Sequence, residues 1–265
     1  HTFALTPRRV AQLSSSQALF TIGYGLDAWA GDALAGEDVP VIIMDEHASL
    51  LCDEDEHEED DHHEDEHEED EHGHDDHDDD HEEEVDDHGH GHSHEGGCDP
   101  HYWLSLANAS EMAEQAAEEL GALDPGHADV YAQNAAALQG EFDALRTELT
   151  EQLQDAPSRD LIVFHDSWNY FAQEFDLDVR GTFEPKPGVE PSPRELAELT
   201  ELVSVYGIER AYAEPQLSDA VLQAFIGDLD LELGILDPIG GQEDRASYAD
   251  LIRFNINAII APVQR

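Results

Sequence analysis

Short apolar runs alternate along this chain with stretches in which apolar residues recur every three or four positions. The runs predict buried strands, and the recurring stretches predict amphipathic helices. The predicted strands cover residues 18–22, 41–44, 161–164, 178–182, 211–213 and 232–236. The predicted helices cover residues 26–35, 105–120, 126–154, 168–175, 216–226 and 247–260, and two more begin at Thr6-Pro7 and at Ser192-Pro193. This alternation predicts an α/β fold with parallel-type sheets.

The longest predicted element is the helix over residues 126–154. Its apolar residues follow spacings of three and four, which predicts one apolar stripe. At 1.5 Å per residue it is roughly 40 Å long. We expect residues 125–157 to link two lobes, an N-terminal lobe over residues 1–124 and a C-terminal lobe over residues 158–265. The alternative is a helix that pairs with a partner as a coiled coil.

Residues 53–97 interrupt the alternation. They include twelve His, twenty-six Asp or Glu, and no Lys or Arg. Because this segment has almost no apolar side chains, their burial cannot offset the entropy lost when the backbone is ordered. We therefore expect a disordered loop. Imidazoles bind zinc and copper, and dense carboxylates attract divalent cations. We therefore predict metal capture, rather than solvation alone, by the loop histidines His57, His62, His63, His67, His72, His74, His77, His81, His88, His90, His92 and His94.

The only two cysteines, Cys52 and Cys98, bracket this loop. A disulfide between them would close the base of the loop and would require an oxidising compartment. The alternative is a pair of free thiols that contribute to metal capture. We favour the disulfide.

The charge of the whole chain narrows the choice of partner. Its formal net charge is −53, and even outside the loop 38 Asp or Glu face 11 Lys or Arg. Such a surface repels nucleic acid and anionic lipid and suits cations. No apolar run approaches about 18 residues, so we expect no direct membrane span.

The five histidines outside the loop differ in their surroundings. His165 ends a predicted strand, His101 precedes a predicted helix, and His1 precedes the Thr6-Pro7 helix start. Any one of them alone would suit a structural role, but three at element edges predict ligands that converge on a cleft. His47 is either structural or an accessory ligand, and His127 is expected to be solvated.

Carboxylates at strand ends would complete such a site. Asp237 directly follows one predicted strand, and Glu214 follows another. We predict Asp237 as the fourth ligand and Glu214 as an accessory residue, although both could instead cap the next segment. Three imidazoles and one carboxylate suit zinc, whereas a second carboxylate would favour manganese.

Several motifs in one order carry a family resemblance. They are His1 with Thr6-Pro7, DPHYWL at 99–104, FHDSW at 164–168, EPKPGVEPS at 184–192, AEPQ at 213–216 and LDPIG at 236–240. Together with the acidic His-rich insertion, they resemble the zinc-binding, ZnuA-type branch of the solute-binding proteins of metal-importing ABC transporters.

The resemblance implies two α/β lobes joined by a rigid helix, with one metal ion in the cleft between them. It places the ligands at His1, His101, His165 and Asp237. His165 stands where manganese-binding members commonly have Glu, which favours Zn²⁺ over Mn²⁺. The resemblance also implies a membrane permease as the partner. It implies a periplasmic or otherwise extracytoplasmic location, either free or held by a membrane anchor upstream of this sequence. We expect a monomer.

The chain departs from the family pattern in two ways. The pattern has a strand, a helix and a strand ahead of the first histidine, so we expect a truncated start here. Zinc-binding members often carry a cysteine pair in the C-terminal lobe, whereas the pair here brackets the loop.

Two other functions compete with zinc delivery. One is a metal buffer that acts only through the loop. The other is a zinc hydrolase with Asp166 or Glu214 as general base, but the chain has no His-Glu-x-x-His motif. We expect no enzyme activity.

Overall fold

The computed structural model describes residues 6–52, 97–184, 189–216 and 220–263. Within these ranges, two parallel sheets form. The smaller sheet pairs β1 (Leu19–Thr21) with β2 (Val41–Ile43). The larger sheet has the strand order β4-β3-β5-β6, all parallel. Its strands are β3 (Asp160–His165), β4 (Asp178–Glu184), β5 (Arg210–Ala213) and β6 (Glu232–Ile235). The predicted α/β fold with parallel sheets is confirmed.

Eight α-helices lie in the same described ranges. They are α1 (Pro7–Leu13), α2 (Ala28–Ala33), α3 (Leu106–Leu123), α4 (Ala128–Gln152), α5 (Asn169–Phe175), α6 (Pro193–Tyr206), α7 (Ala220–Leu229) and α8 (Tyr248–Ile260). Short 3-10 turns occur at Tyr102–Leu104, Pro125–His127, Leu153–Asp155 and Glu243–Arg245. None of the helices that the structure describes is both long and apolar enough to cross a membrane.

The start of α6 shows how local sequence sets a helix boundary. The hydroxyl of Ser192 accepts a hydrogen bond from the backbone N–H of Glu195 (3.3 Å), and the Glu195 carboxylate accepts one from the backbone N–H of Ser192 (2.6 Å). This reciprocal pair satisfies two N–H groups that would otherwise lack helical partners. Gly207 ends the helix with a positive φ of 63°, a conformation that glycine adopts without steric cost.

Helices α3 and α4 form an antiparallel pair. The predicted end of the first of them at residue 120, just before Gly121, is wrong, because α3 continues to Leu123. Gly121 instead lies against α4, where an added Cβ would be 3.2 Å from the Cβ of Ala128. The missing side chain therefore permits close approach of the two helices.

Helix α4 is the predicted long helix, 25 residues in the structure. Its stripe buries Phe142, Leu145 and Leu149 against the core of the larger sheet. Each fully buried side chain of this size contributes about 1.5–3 kcal/mol. Helix α4 therefore contacts both α3 and the core of the larger sheet. The exact lobe boundaries stay a prediction.

The larger sheet is covered on both faces. Leu161 and Val163 of β3 pack in one apolar cluster with residues of α4, α5 and α8. Ile162 and Phe164 of the same strand pack in a second cluster with residues of α6 and α7. Because both faces are buried, polar side chains in and after these strands concentrate at the strand ends.

Cys52 and Cys98 form the predicted disulfide, with Cα atoms 3.8 Å apart. The same residues make an isolated antiparallel bridge. The free-thiol alternative is therefore excluded. The predicted disorder of residues 53–97 lies outside the described residues, except for Gly97.

Candidate metal centre

Polar side chains stand at the carboxyl end of every strand of the larger sheet. His165 is the last residue of β3 and pairs in register with Glu184, the last residue of β4. Glu214 directly follows β5, and Asp237 lies two residues beyond β6. In open parallel sheets ligands bind at this edge, so the fold concentrates candidate ligands there.

His101 and His165 are adjacent, although they come from distant parts of the sequence. Their ring centroids are 5.2 Å apart, with the planes at 82°. Both residues are buried, with 2% and 7% of their surface exposed. The convergence of these two predicted ligands is therefore a property of the folded chain.

Asp99 sets the orientation of His101. One carboxylate oxygen, Oδ1, lies 2.8 Å from Nδ1 of the imidazole and accepts a second hydrogen bond from the His101 backbone N–H (2.9 Å). Burial alone would raise the pKa of Asp99, but the contacts with His101 outweigh it and lower that pKa. An ionised carboxylate places the imidazole proton on Nδ1, which leaves the Nε2 lone pair for a metal.

Asp99 is itself held by residues of α5. Asn169 donates through Nδ2 to Oδ2 of Asp99 (3.3 Å) and to Oδ1 of Asp166 (3.1 Å). The hydroxyl of Tyr170 donates to the backbone carbonyl of Asp99 (2.8 Å) and accepts from the N–H of Leu51 (2.8 Å). The chain beside the disulfide is thus joined to the helix that follows His165.

Glu214 lies close to the imidazole of His165. Its Oε1 accepts hydrogen bonds from Oγ of Ser167 (3.0 Å) and from Nε1 of Trp168 (3.1 Å). The Nδ1 atom of His165 is 3.7 Å from the same oxygen. That distance exceeds a normal hydrogen bond, but a carboxylate this close favours the positive charge that a bound cation would bring.

Trp103 joins the His101 turn to the far side of the site. Its ring lies 5.3 Å from that of His101, and its Nε1 donates to the backbone carbonyl of Pro238 (2.9 Å). The hydroxyl of Tyr248 donates to the backbone carbonyl of Trp103 (2.7 Å). Two residues from the C-terminal part of the chain, Pro238 and Tyr248, therefore hold this turn.

Asp237 is completely buried and fully engaged with protein donors. Its Oδ1 accepts from Nε2 of Gln216 (2.6 Å) and from the backbone N–H groups of Ile239 and Gly240 (3.0 Å each). Its Oδ2 accepts from Nε of Arg245 (2.5 Å). Burial would raise the pKa of Asp237, but these hydrogen bonds outweigh it and lower that pKa.

No group of three His, Cys, Asp or Glu within residues 6–52, 97–184, 189–216 and 220–263 is arranged to hold a metal ion. Asp237 therefore does not join His101 and His165 as a ready ligand set. Its role as a ligand stays a prediction. The predicted ligand His1 and the loop histidines lie outside the described residues.

The comparisons with known proteins decide the family. A family model described as zinc-uptake complex component A, periplasmic (ZnuA), matches residues 1–261. The chain belongs to the ZnuA family.

Individual ZnuA relatives differ in how much of their length the chain covers. It is 29% identical to the high-affinity zinc uptake system protein ZnuA of Brucella abortus strain 2308 over 166 residues, which are 62% of this chain and 50% of that protein. It thus spans about half the length of that relative. The ZnuA of Haemophilus ducreyi is 32% identical over 251 residues, 91% of this chain and 75% of that protein.

A solved structure agrees with the fold. The crystal structure of a ZnuA deletion mutant with zinc bound matches with a TM-score of 0.71 and 26% identity, covering 99% of this chain and 86% of that one. These relatives are described as zinc uptake or zinc-bound proteins, and the ZnuA family is a transport family rather than an enzyme family.

Apart from His101 and His165, the histidines that the structure describes in this ZnuA-family chain are His47 and His127, and both have surface partners. Nε2 of His47 lies 3.3 Å from Glu118 on α3, and this hydrogen bond raises the pKa of His47. Nδ1 of the exposed His127 lies 2.7 Å from Asp124. The prediction that His127 is solvated is therefore confirmed. The structural or accessory role of His47 stays a prediction.

Sequence reasoning missed four residues that shape this ZnuA-type site: Asp99, Trp103, Asn169 and Arg245. Asp99 and Trp103 flank His101 within the DPHYWL motif, so their proximity was a usable signal. Asn169 and Arg245 had no comparable signal, because their contacts depend on how α5 and the turn before α8 pack.

Proposed function

We propose that this chain is an extracytoplasmic high-affinity zinc-binding protein that captures Zn²⁺ and delivers it to an ABC importer in the membrane. The observation that carries the proposal is the buried pair His101 and His165, with ring centroids 5.2 Å apart. Membership of the ZnuA family supports the zinc assignment and the extracytoplasmic location.

The chemistry of the pair suits this cargo. Neutral imidazoles are good zinc ligands, and ligating histidines are normally oriented by a carboxylate on the other ring nitrogen. Asp99 supplies that contact for His101, and Glu214 lies against His165. His1 is the proposed third ligand, on the basis of the sequence resemblance alone.

We assign the acidic His-rich residues 53–97 an accessory role in scavenging zinc. Their twelve histidines offer many weak sites. The disulfide fixes the end of this segment at Cys98, three positions before His101 in the sequence. Zinc held there would raise its effective concentration near the buried pair.

A zinc titration tests the buried site. The wild-type chain should bind one zinc tightly, with further weaker sites. H101A and H165A should each weaken the tight site by roughly 100-fold or more, because the zinc ion loses one direct bond to the protein. H127A is the matched control, since His127 is a surface histidine with its own carboxylate partner. Unchanged affinity in H101A and H165A would refute the proposed site.

Deletion of residues 53–97 separates the two kinds of site. The tight zinc should remain and the weak sites should disappear. Loss of the tight zinc in the deletion variant would overturn the two-site scheme. A wild-type chain with only weak, multiple sites would instead support the metal-buffer function.

A further inference from the structure

Arg245 is paired with Asp237. Its Nε donates to Oδ2 of Asp237, and its Nη1 donates to Oδ1 of Asp244 (2.8 Å). The guanidinium carbon lies 4.2 Å from the centroid of the Phe254 ring. The arginine is thus fixed by two carboxylates and an aromatic face, and only 11% of its side chain is exposed.

Asp237 has little capacity left for a metal ion. One oxygen already accepts three hydrogen bonds, and the other is paired with Arg245. A metal would have to displace a buried, charge-assisted contact, which is among the stronger interactions in proteins. Without Arg245, the buried carboxylate would keep the three hydrogen bonds to Oδ1 but lose its cationic partner, which would favour a divalent cation at Oδ2.

The identity of the ligands affects which metal binds. Manganese prefers carboxylate oxygen, whereas zinc is well served by imidazole. A site that offers His101 and His165 but not Asp237 therefore favours zinc. Trp103 places the His101 turn beside the loop that contains Asp237. It lies against the His101 ring and hydrogen-bonds to Pro238, the neighbour of Asp237.

We propose that Arg245 is a specificity-determining residue, which holds Asp237 out of the metal's coordination sphere and so selects zinc over manganese. The inference rests on the proposed zinc function. It also replaces the expectation that Asp237 is the fourth ligand.

The test compares Zn²⁺ and Mn²⁺ dissociation constants in variants of the full chain. R245M frees the second carboxylate oxygen, so manganese affinity should rise by about tenfold or more while zinc affinity changes less. Adding D237N to R245M should abolish the gain in manganese affinity. R245K retains a positive charge beside Asp237 and should stay near the wild-type preference.

R210M is the matched control. Arg210 is also buried and pairs with Glu232 (2.8 Å), but at the amino ends of β5 and β6. R210M should lower stability without changing the metal preference, which separates specificity from general destabilisation.

Two results would overturn the inference. One is an unchanged ratio of zinc to manganese affinity in folded R245M. The other is a D237N variant of the otherwise wild-type chain whose zinc affinity falls by about 100-fold, which would make Asp237 a ligand. D237N also decides the question if R245M does not fold. A wild-type chain that binds no zinc tightly would refute the proposed function instead.

Discussion

The indole N–H of Trp103 donates a hydrogen bond to the backbone carbonyl of Pro238 at 2.9 Å. This contact joins the turn that follows His101 to the loop that contains Asp237. This direct hydrogen bond therefore connects the two sides of the candidate site.

Replacing Trp103 with Phe should accelerate zinc release. The variant retains an aromatic ring beside His101 but loses the hydrogen bond to Pro238, worth about 1 kcal/mol, or roughly a fivefold change in rate. Stopped-flow transfer of zinc to a chelator measures the release. W29F in α2 is the control for tryptophan removal, and equal release rates in W103F and W29F would contradict the expectation.

Replacing Asp99 with Asn should weaken zinc binding by about 10–100-fold, because His101 loses the carboxylate that fixes its tautomer. Competition with a chelator of known affinity measures the change. The chain offers a close control in D124N, which alters the exposed Asp124–His127 pair and should leave zinc affinity unchanged. Equal effects of the two substitutions would argue against an orienting role for Asp99.

Replacing both Cys52 and Cys98 with Ser should lower the free energy of unfolding. The sequence separation of 46 residues predicts a loss of up to roughly 4 kcal/mol in the chain-entropy model. Urea unfolding of the wild-type chain and the double variant measures it. Added reductant should bring the wild type to the stability of the variant, and identical curves in oxidising buffer would contradict the prediction.

Replacing Ser192 with Ala should lower the free energy of unfolding by about 1 kcal/mol, because α6 loses its capping box. S204A, at an exposed position within the same helix, should instead be neutral or slightly stabilising, since Ala is the better helix former. Thermal unfolding distinguishes the two. A loss of stability in S204A equal to that in S192A would contradict the capping explanation.

Elements with strong local signals were predictable. Such signals depend on residues within a few positions of one another. Examples are the helix cap at Thr6, the capping box at Ser192 and the apolar run that forms β3. The end of α3 was not predictable from Gly121, because that glycine serves a contact with Ala128 in another helix. A local breaker and a helix-packing glycine look alike in sequence.

The candidate site likewise includes residues whose role was predictable from the sequence and residues whose role was not. His101 and His165 were identifiable because both lie at the edges of predicted elements, where parallel sheets place ligands. The engagement of Asp237 was not, since Arg245 reaches it only after the turn before α8 has packed against the strand ends.

By itself, the sequence determined the alternation of strands and helices, the acidic His-rich segment, the cysteine pair and the residue types available to bind a cation. These depend on composition and short-range periodicity. The tertiary structure alone decided which side chains meet: His101 beside His165, Asp99 oriented on His101, and Asp237 paired with Arg245. Hydrogen bonds and charge contacts act over a few ångströms, so such pairings exist only once distant segments have packed together.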